Sequence, residues 1–165
     1  MSIVPEAVRR EAVAAWLAGS LNRPRNAHQE WAACGIALLA LGRRFSALRV
    51  AEELVCATAR GTDTTTVNNL LRDALHGPVI HDPRGRRFYV LVPSSPPVQS
   101  LGPYATYLGL GTYLGVPHIE WRRPDERHGG YWAVPMETPG ALCDPDRVLG
   151  LIEAGSAALD EGGVS

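Results

Sequence analysis

Residues Gly77 to Pro93 restrict the fold more than any other stretch, because they spell two apolar arms around one tight, basic turn. Val79 and Ile80 make the first arm, and Phe88 to Val92 make the second. Asp82-Pro83-Arg84-Gly85 between them is turn chemistry, since proline presets φ and glycine tolerates positive φ. Apolar runs joined in this way predict a β-hairpin. Arg84, Arg86 and Arg87 set three permanent charges near its tip.

Helical patterns surround the hairpin. Pro5 suits the first turn of a helix running to Ala18, with Val8, Ala12, Ala15 and Trp16 on one face and Gly19 as a stop. Leu21 to Arg25 reads as a linker. A second helix is expected from Asn26, with Gln29 as its capping partner, through Trp31, Cys34 and Leu39 to a stop at Gly42. A strand is expected within Arg43 to Val50, then helices over Ala51 to Arg60 and Thr66 to Leu75. Beyond Pro93, the proline- and serine-rich stretch from Ser94 to Pro103 is a loop. The near-repeat in Tyr104 to Val116 reads as a turn followed by a strand over Thr112 to Val116. Two more short strands are expected at His118 to Trp121 and Tyr131 to Val134. Asp144-Pro145-Asp146 caps a closing helix, with Asp160 to Ser165 as a frayed tail. The chain therefore reads as one α+β domain of 165 residues. An N-terminal helix and linker occupy residues 1–22. The body, residues 26–160, has a small, mostly antiparallel sheet and a closing C-terminal helix.

Composition narrows the function classes. Hydrophobic residues are 45% and charged residues 20%, which is ordinary for a globular chain. A net charge of −1 supplies no global field toward nucleic acid or an anionic membrane. All 16 basic residues are arginine, which points to a GC-rich coding genome such as an actinobacterium's. Cys34, Cys56 and Cys143 are odd in number and far apart, so buried free thiols in a reducing, cytoplasmic setting are expected. No Cys-x-x-Cys pair is present, and no metal site or cofactor is expected. No apolar run is long enough to span a bilayer.

Several groups carry potential chemistry. The order of elements over residues 27–92 is that of a winged helix-turn-helix. Thr66 to Leu75 would be the recognition helix, showing Asn68, Asn69, Arg72 and Asp73 outward. Arg84, Arg86 and Arg87 would then form the wing, and with Arg44 they are the candidate nucleic-acid or anion contacts. Tyr104, Tyr107, Tyr113, Trp121 and Trp132 could stack bases or line a ligand pocket beside the Ser94–Pro103 loop. If the chain is an enzyme, His81, Asp82 and His118 are its acid–base candidates. No phosphate-binding glycine loop or nucleophile elbow is present.

Three further segments carry a resemblance. They are Arg43-Arg44-Phe45-Ser46-Ala47-Leu48-Arg49-Val50, then Gly77-Pro78-Val79 with Arg86 to Pro93, and then Tyr131-Trp132-Ala133-Val134-Pro135. They resemble short actinobacterial proteins of unassigned role. They are also distantly similar to the N-terminal domain of bifunctional DNA primase/polymerase proteins. The resemblance implies an α+β domain with an ancestral link to nucleic-acid enzymes. That family carries metal-binding carboxylates on a strand, and Phe45 to Val50 has none, which implies a catalytically degenerate copy. The leading expectation is a non-enzymatic regulatory or accessory protein that contacts DNA or a regulatory protein partner. The alternatives are a small-molecule-binding protein or small enzyme with an aromatic pocket, and an interaction module that forms a homodimer through its N-terminal helix.

Overall fold

The computed structural model describes residues 5–97 and 99–163. Helix α1, Glu6–Ala18, follows Pro5 as the sequence suggests. Its buried stripe is Val13, Leu17 and Ala18, whereas Val8 is 51% exposed. The inward face is thus rotated from the expected one.

Helix α2, Pro24–Cys34, ends earlier than its composition suggests. Proline holds its first position and no side chain caps it, so the Asn26–Gln29 box does not form. Gly35 closes the helix at φ 79°, and a Cβ there would fall 2.1 Å from the Trp121 ring. The remainder of the expected helix is strand β1, Ile36–Ala40. A five-residue apolar run satisfies helical and strand periodicity equally, and the left-handed glycine decides between them.

Strand β2, Ser46–Ala51, leads directly into α3, Glu52–Ala59. Helix α4, Thr64–Leu75, starts two residues before the expected position, because Asp63 accepts from the Thr66 N–H at 3.0 Å and caps it. The hairpin forms as β3, Val79–Asp82, and β4, Arg87–Val92. Strand β5, Ala105–Leu108, lies where the sequence suggested a turn. Strands β6, Tyr113–Pro117, and β7, Tyr131–Val134, follow. The strand expected at His118 to Trp121 is instead a turn closed by the Trp121 N–H on the His118 carbonyl at 2.9 Å. The last helix, α5, spans Pro145–Gly163 and includes positions expected to fray. Asp144 accepts from the Asp146 N–H at 2.9 Å, as an N-cap should. The end of the expected tail, Val164 and Ser165, lies outside the described residues.

Five strands form one antiparallel sheet in the order β5-β2-β4-β3-β7, and β1 pairs with β6 in a separate two-stranded sheet. The fold is α+β with a closing C-terminal helix. Strand β4 lies between β2 and β3, in the middle of the large sheet. The hairpin therefore does not stand out as a wing, and the winged-helix order is not realised as that fold. Its strands are buried on both faces. Val50, Phe88 and Val90 pack under α3, α4 and α5, against Leu54, Leu71, Leu75 and Val148. Ala47, Ile80, Leu91 and Trp132 face the other way, against Leu17, Trp31, Leu39 and Val116 from α1, α2 and the small sheet.

The three thiols differ sharply. Cys34 is exposed, contrary to the expectation of burial, because the early end of α2 leaves it at the surface. Cys56 is half-buried and Cys143 is buried. Burial pushes the Cys143 thiol up to about 12, and its Sγ–H faces the Pro78 carbonyl at 3.4 Å. A thiol reagent applied to the native protein is expected to label Cys34 in the first phase and Cys143 only at the rate of unfolding, read by mass spectrometry. Equal labelling of both would contradict this packing. The same burial sets a pH window. Between the ordinary value of 9.0 and about 12 the unfolded chain ionises this thiol while the folded chain keeps it protonated. Stability from this group is therefore complete below that window and falls as pH rises through it.

Candidate functional site

The face of the large sheet that carries Ala47 and Leu91 changes character along its strands. Near its middle, Leu108, Ala47 and Leu91 sit side by side across β5, β2 and β4 and are covered by the second core. One row on, the neighbours are Thr106, Arg49 and Tyr89. The next row pairs Ala51 with Arg87, and Arg87 with Asp82. Alternation along each strand puts these residues on one face, where the second core still covers Ile80 and part of Tyr89 but leaves Thr106 exposed and Arg49 and Arg87 half-buried at the β5–β2 side and the strand ends. The result is a groove of about 310 Å³ lined by Arg49, Arg86, Arg87, Tyr104 and Thr106.

The arginines reach the groove for separate local reasons. Arg49 is an alternating β2 residue whose neighbours Leu48 and Val50 point into the opposite core. Arg87 opens β4, with its Nε 3.7 Å from an Asp82 oxygen. Arg86 ends the hairpin turn at φ 54°, a left-handed position. Asp82 completes the turn by accepting from the Gly85 N–H at 3.1 Å, so its role is structural. Arg49 and Arg86 have no ion-pair partner among the described residues. Two uncommitted guanidinium groups and a third loosely paired one, beside tyrosine and threonine hydroxyls, form a donor-rich surface suited to phosphate oxygens.

Two other candidate anion contacts are used elsewhere. Arg84 donates to the Glu126 carbonyl and ties the hairpin to the 122–130 segment. Arg44 donates to the Trp16 carbonyl at 2.9 Å and lies over the Trp16 ring at 5.5 Å, which clamps α1 to the body. Helix α4 presents Asn69, Arg72 and Asp73 to solvent, but Asn68 turns inward.

The aromatic candidates do not share one pocket. Trp132 is 2% exposed and fills the second core. Tyr107 donates to Ser46 Oγ at 2.9 Å, and Tyr113 is exposed on the two-stranded sheet. Trp121 stacks on His128 with ring centres 3.6 Å apart. Only Tyr104 reaches the groove, where it is joined by Arg49. Sequence reasoning missed Arg49 as a contact. The available signal was a lone charge between the apolar residues Leu48 and Val50 of a strand.

The acid–base candidates also separate. His118 lines a cleft against α1 and α2, while His81 lies under α3 and α4. His81 belongs to a chain of hydrogen bonds that the sequence did not reveal. The Asn68 amide donates to the Tyr131 hydroxyl at 3.3 Å. That hydroxyl and His81 Nδ1 are 2.8 Å apart, and His81 Nε2 is 2.9 Å from a Glu52 oxygen. One direction satisfies the three bonds: Tyr131 O–H donates to Nδ1, and Nε2–H donates to the Glu52 carboxylate. The imidazole also stacks on Phe88 with ring centres 4.1 Å apart. Burial raises the Tyr131 phenol above its ordinary value, so it stays a donor at neutral pH and further into the alkaline range than a free phenol does. Both ring nitrogens of His81 are engaged, so the chain braces α3, α4, β3 and β7 against one another. The Glu52 N–H donates in turn to the Arg86 carbonyl at 3.0 Å, linking that brace to the groove.

Among the described residues, no three of His, Cys, Asp and Glu gather as metal ligands, and no helix is long and apolar enough to cross a membrane. Compared with known proteins, the chain matches no family model, no curated protein and no solved structure.

Proposed function

We propose that this protein is a cytoplasmic regulatory or accessory protein that holds single-stranded DNA on the open end of its large sheet. The observation that carries the reading is the groove in which Arg49, Arg86 and Arg87 converge beside Tyr104. Its lining offers guanidinium, phenol and hydroxyl groups, which bind and orient phosphate and stack on bases. A groove of about 310 Å³ at one end of the sheet has room for a segment of a pliable single strand and not for a duplex. Descent from a primase/polymerase-like domain belongs to the same reading, with β2 carrying Arg49 and no carboxylate. Three free cysteines support the cytoplasmic assignment.

Fluorescence anisotropy with a labelled single-stranded oligonucleotide tests it. The wild-type protein is expected to bind in low salt, and R49A/R87A to bind at least tenfold more weakly with an unchanged thermal midpoint. The slope of log affinity against log salt should fall by about 1 to 1.5, at roughly 0.7 per phosphate contact removed from a single strand. Wild-type protein without affinity, or a double variant with the wild-type salt slope, would overturn the assignment.

A further inference from the structure

A second concavity lies away from the groove and shares no residue with it. Helices α1 and α2 pack side by side, yet α1 offers Ala7 and Ala14 and α2 offers Ala32 along the facing stripes. Side chains this small do not fill the space between two helices, so a cleft of about 600 Å³ remains, closed at one end by the turn at 118–120. That volume is within the usual range for small-molecule sites, roughly 300–1,000 Å³.

Its lining has a definite chemistry. Trp31 borders the cleft but is 6% exposed and belongs to the second core, held in place by its Nε1–H on the Val116 carbonyl at 2.9 Å. His28 meets that ring edge-on, with centres 5.5 Å apart. Glu6, Glu11 and Glu120 bring three carboxylates against the single guanidinium of Arg10. Arg10 is already committed, at 2.6 Å to Glu6 and 2.7 Å to Glu120. Glu11 has no ion-pair partner among the described residues, so the cleft carries negative charge that its own lining does not neutralise. His118 accepts the Glu120 N–H on Nδ1 at 3.1 Å, which places its ring proton on Nε2 as a donor.

We propose that this cleft binds a small aromatic amine. The ammonium group would pair with Glu11, and the ring would lie on the exposed His28 imidazole and the Ala7, Ala14 and Ala32 methyls, above the small accessible part of Trp31. The His118 Nε2–H would donate to an oxygen on the ring. The two helices that form the cleft also bury the second core, so an occupied cleft stiffens the α1–α2 pair.

Isothermal titration with tyramine tests the proposal, with phenethylamine and 4-hydroxyphenylacetate as comparators. Tyramine should bind with a millimolar or better dissociation constant. Phenethylamine should bind several-fold more weakly, and the carboxylate, which reverses the charge, should not bind. E11Q should weaken tyramine about three- to fivefold, the effect of an exposed ion pair. A32W, which fills the cleft from an exposed position, should abolish binding without lowering the thermal midpoint. No heat of binding at 10 mM tyramine would overturn the proposal, as would equal affinity for the carboxylate or tyramine affinity unchanged in both variants.

Discussion

Replacing Trp132 with alanine is expected to lower the free energy of unfolding by about 4 kcal/mol, because large-to-small changes of a buried aromatic typically cost about 3–5 kcal/mol. The side chain is 2% exposed and lies on β7, at the edge of the large sheet. Its ring packs into the second core, and its Nε1–H reaches the Pro117 carbonyl at 3.0 Å, at the end of β6. One residue thus couples the five-stranded sheet to the two-stranded sheet. Alanine would leave a cavity and an unpaired carbonyl together. Phenylalanine keeps much of the buried area but loses the hydrogen bond and leaves a smaller gap where the second indole ring lay, so W132F should cost less, about 2–3 kcal/mol. Urea unfolding followed by circular dichroism separates the two variants. A loss below about 1 kcal/mol for the alanine variant would mean that the second core can collapse around the gap, and that other contacts join the sheets.

Where local chemistry decided the structure, it could be read from the residues. The Asp82–Gly85 turn, the Asp144 cap and the apolar stripe Val67, Leu70, Leu71, Leu75 each carry their own geometry, and each is present in the fold, with Leu70 at the half-buried edge of its stripe. The failures fall where tertiary partners decide. Ile36 to Ala40 satisfies two periodicities, and β6 supplies the pairing that makes it a strand. Ala105 to Leu108 is strand because β2 has a free edge there, which local propensity does not encode. The same reasoning explains the site. Arg86 and Arg87 were visible at a hairpin tip, but their position beside Arg49 depends on the β2–β4 register. Glu52, Asn68 and Tyr131 come from three separate segments, and no spacing along the chain announces that Glu52 and Tyr131 meet at one imidazole with Asn68 behind the tyrosine.

That meeting point has a measurable energetic signature. Replacing His81 with alanine should destabilise the fold by about 3 kcal/mol, considerably more than an exposed histidine contributes. Several losses combine. The Tyr131 hydroxyl, in a buried residue, loses its acceptor, and an unsatisfied buried polar group costs about 1–3 kcal/mol. Glu52 is 32% exposed, so solvent screens it and its share is only about 1 kcal/mol or less. Phe88 loses a ring stacked at an angle of 9°, an interaction worth about 0.5–1.5 kcal/mol. Y131F removes one bond while keeping the ring, so it should cost about 1 kcal/mol. The double variant H81A/Y131F should then be less destabilised than the two singles added together, because the bond between them is lost only once. Strict additivity in that cycle would show that the 2.8 Å contact contributes no coupling. Since the Glu52 N–H holds the Arg86 carbonyl, the brace also sets where the hairpin's left-handed residue presents its guanidinium. H81A should therefore weaken oligonucleotide binding less than R49A/R87A does and leave the salt slope intact, because it loosens the position of Arg86 while every guanidinium stays within reach of phosphate.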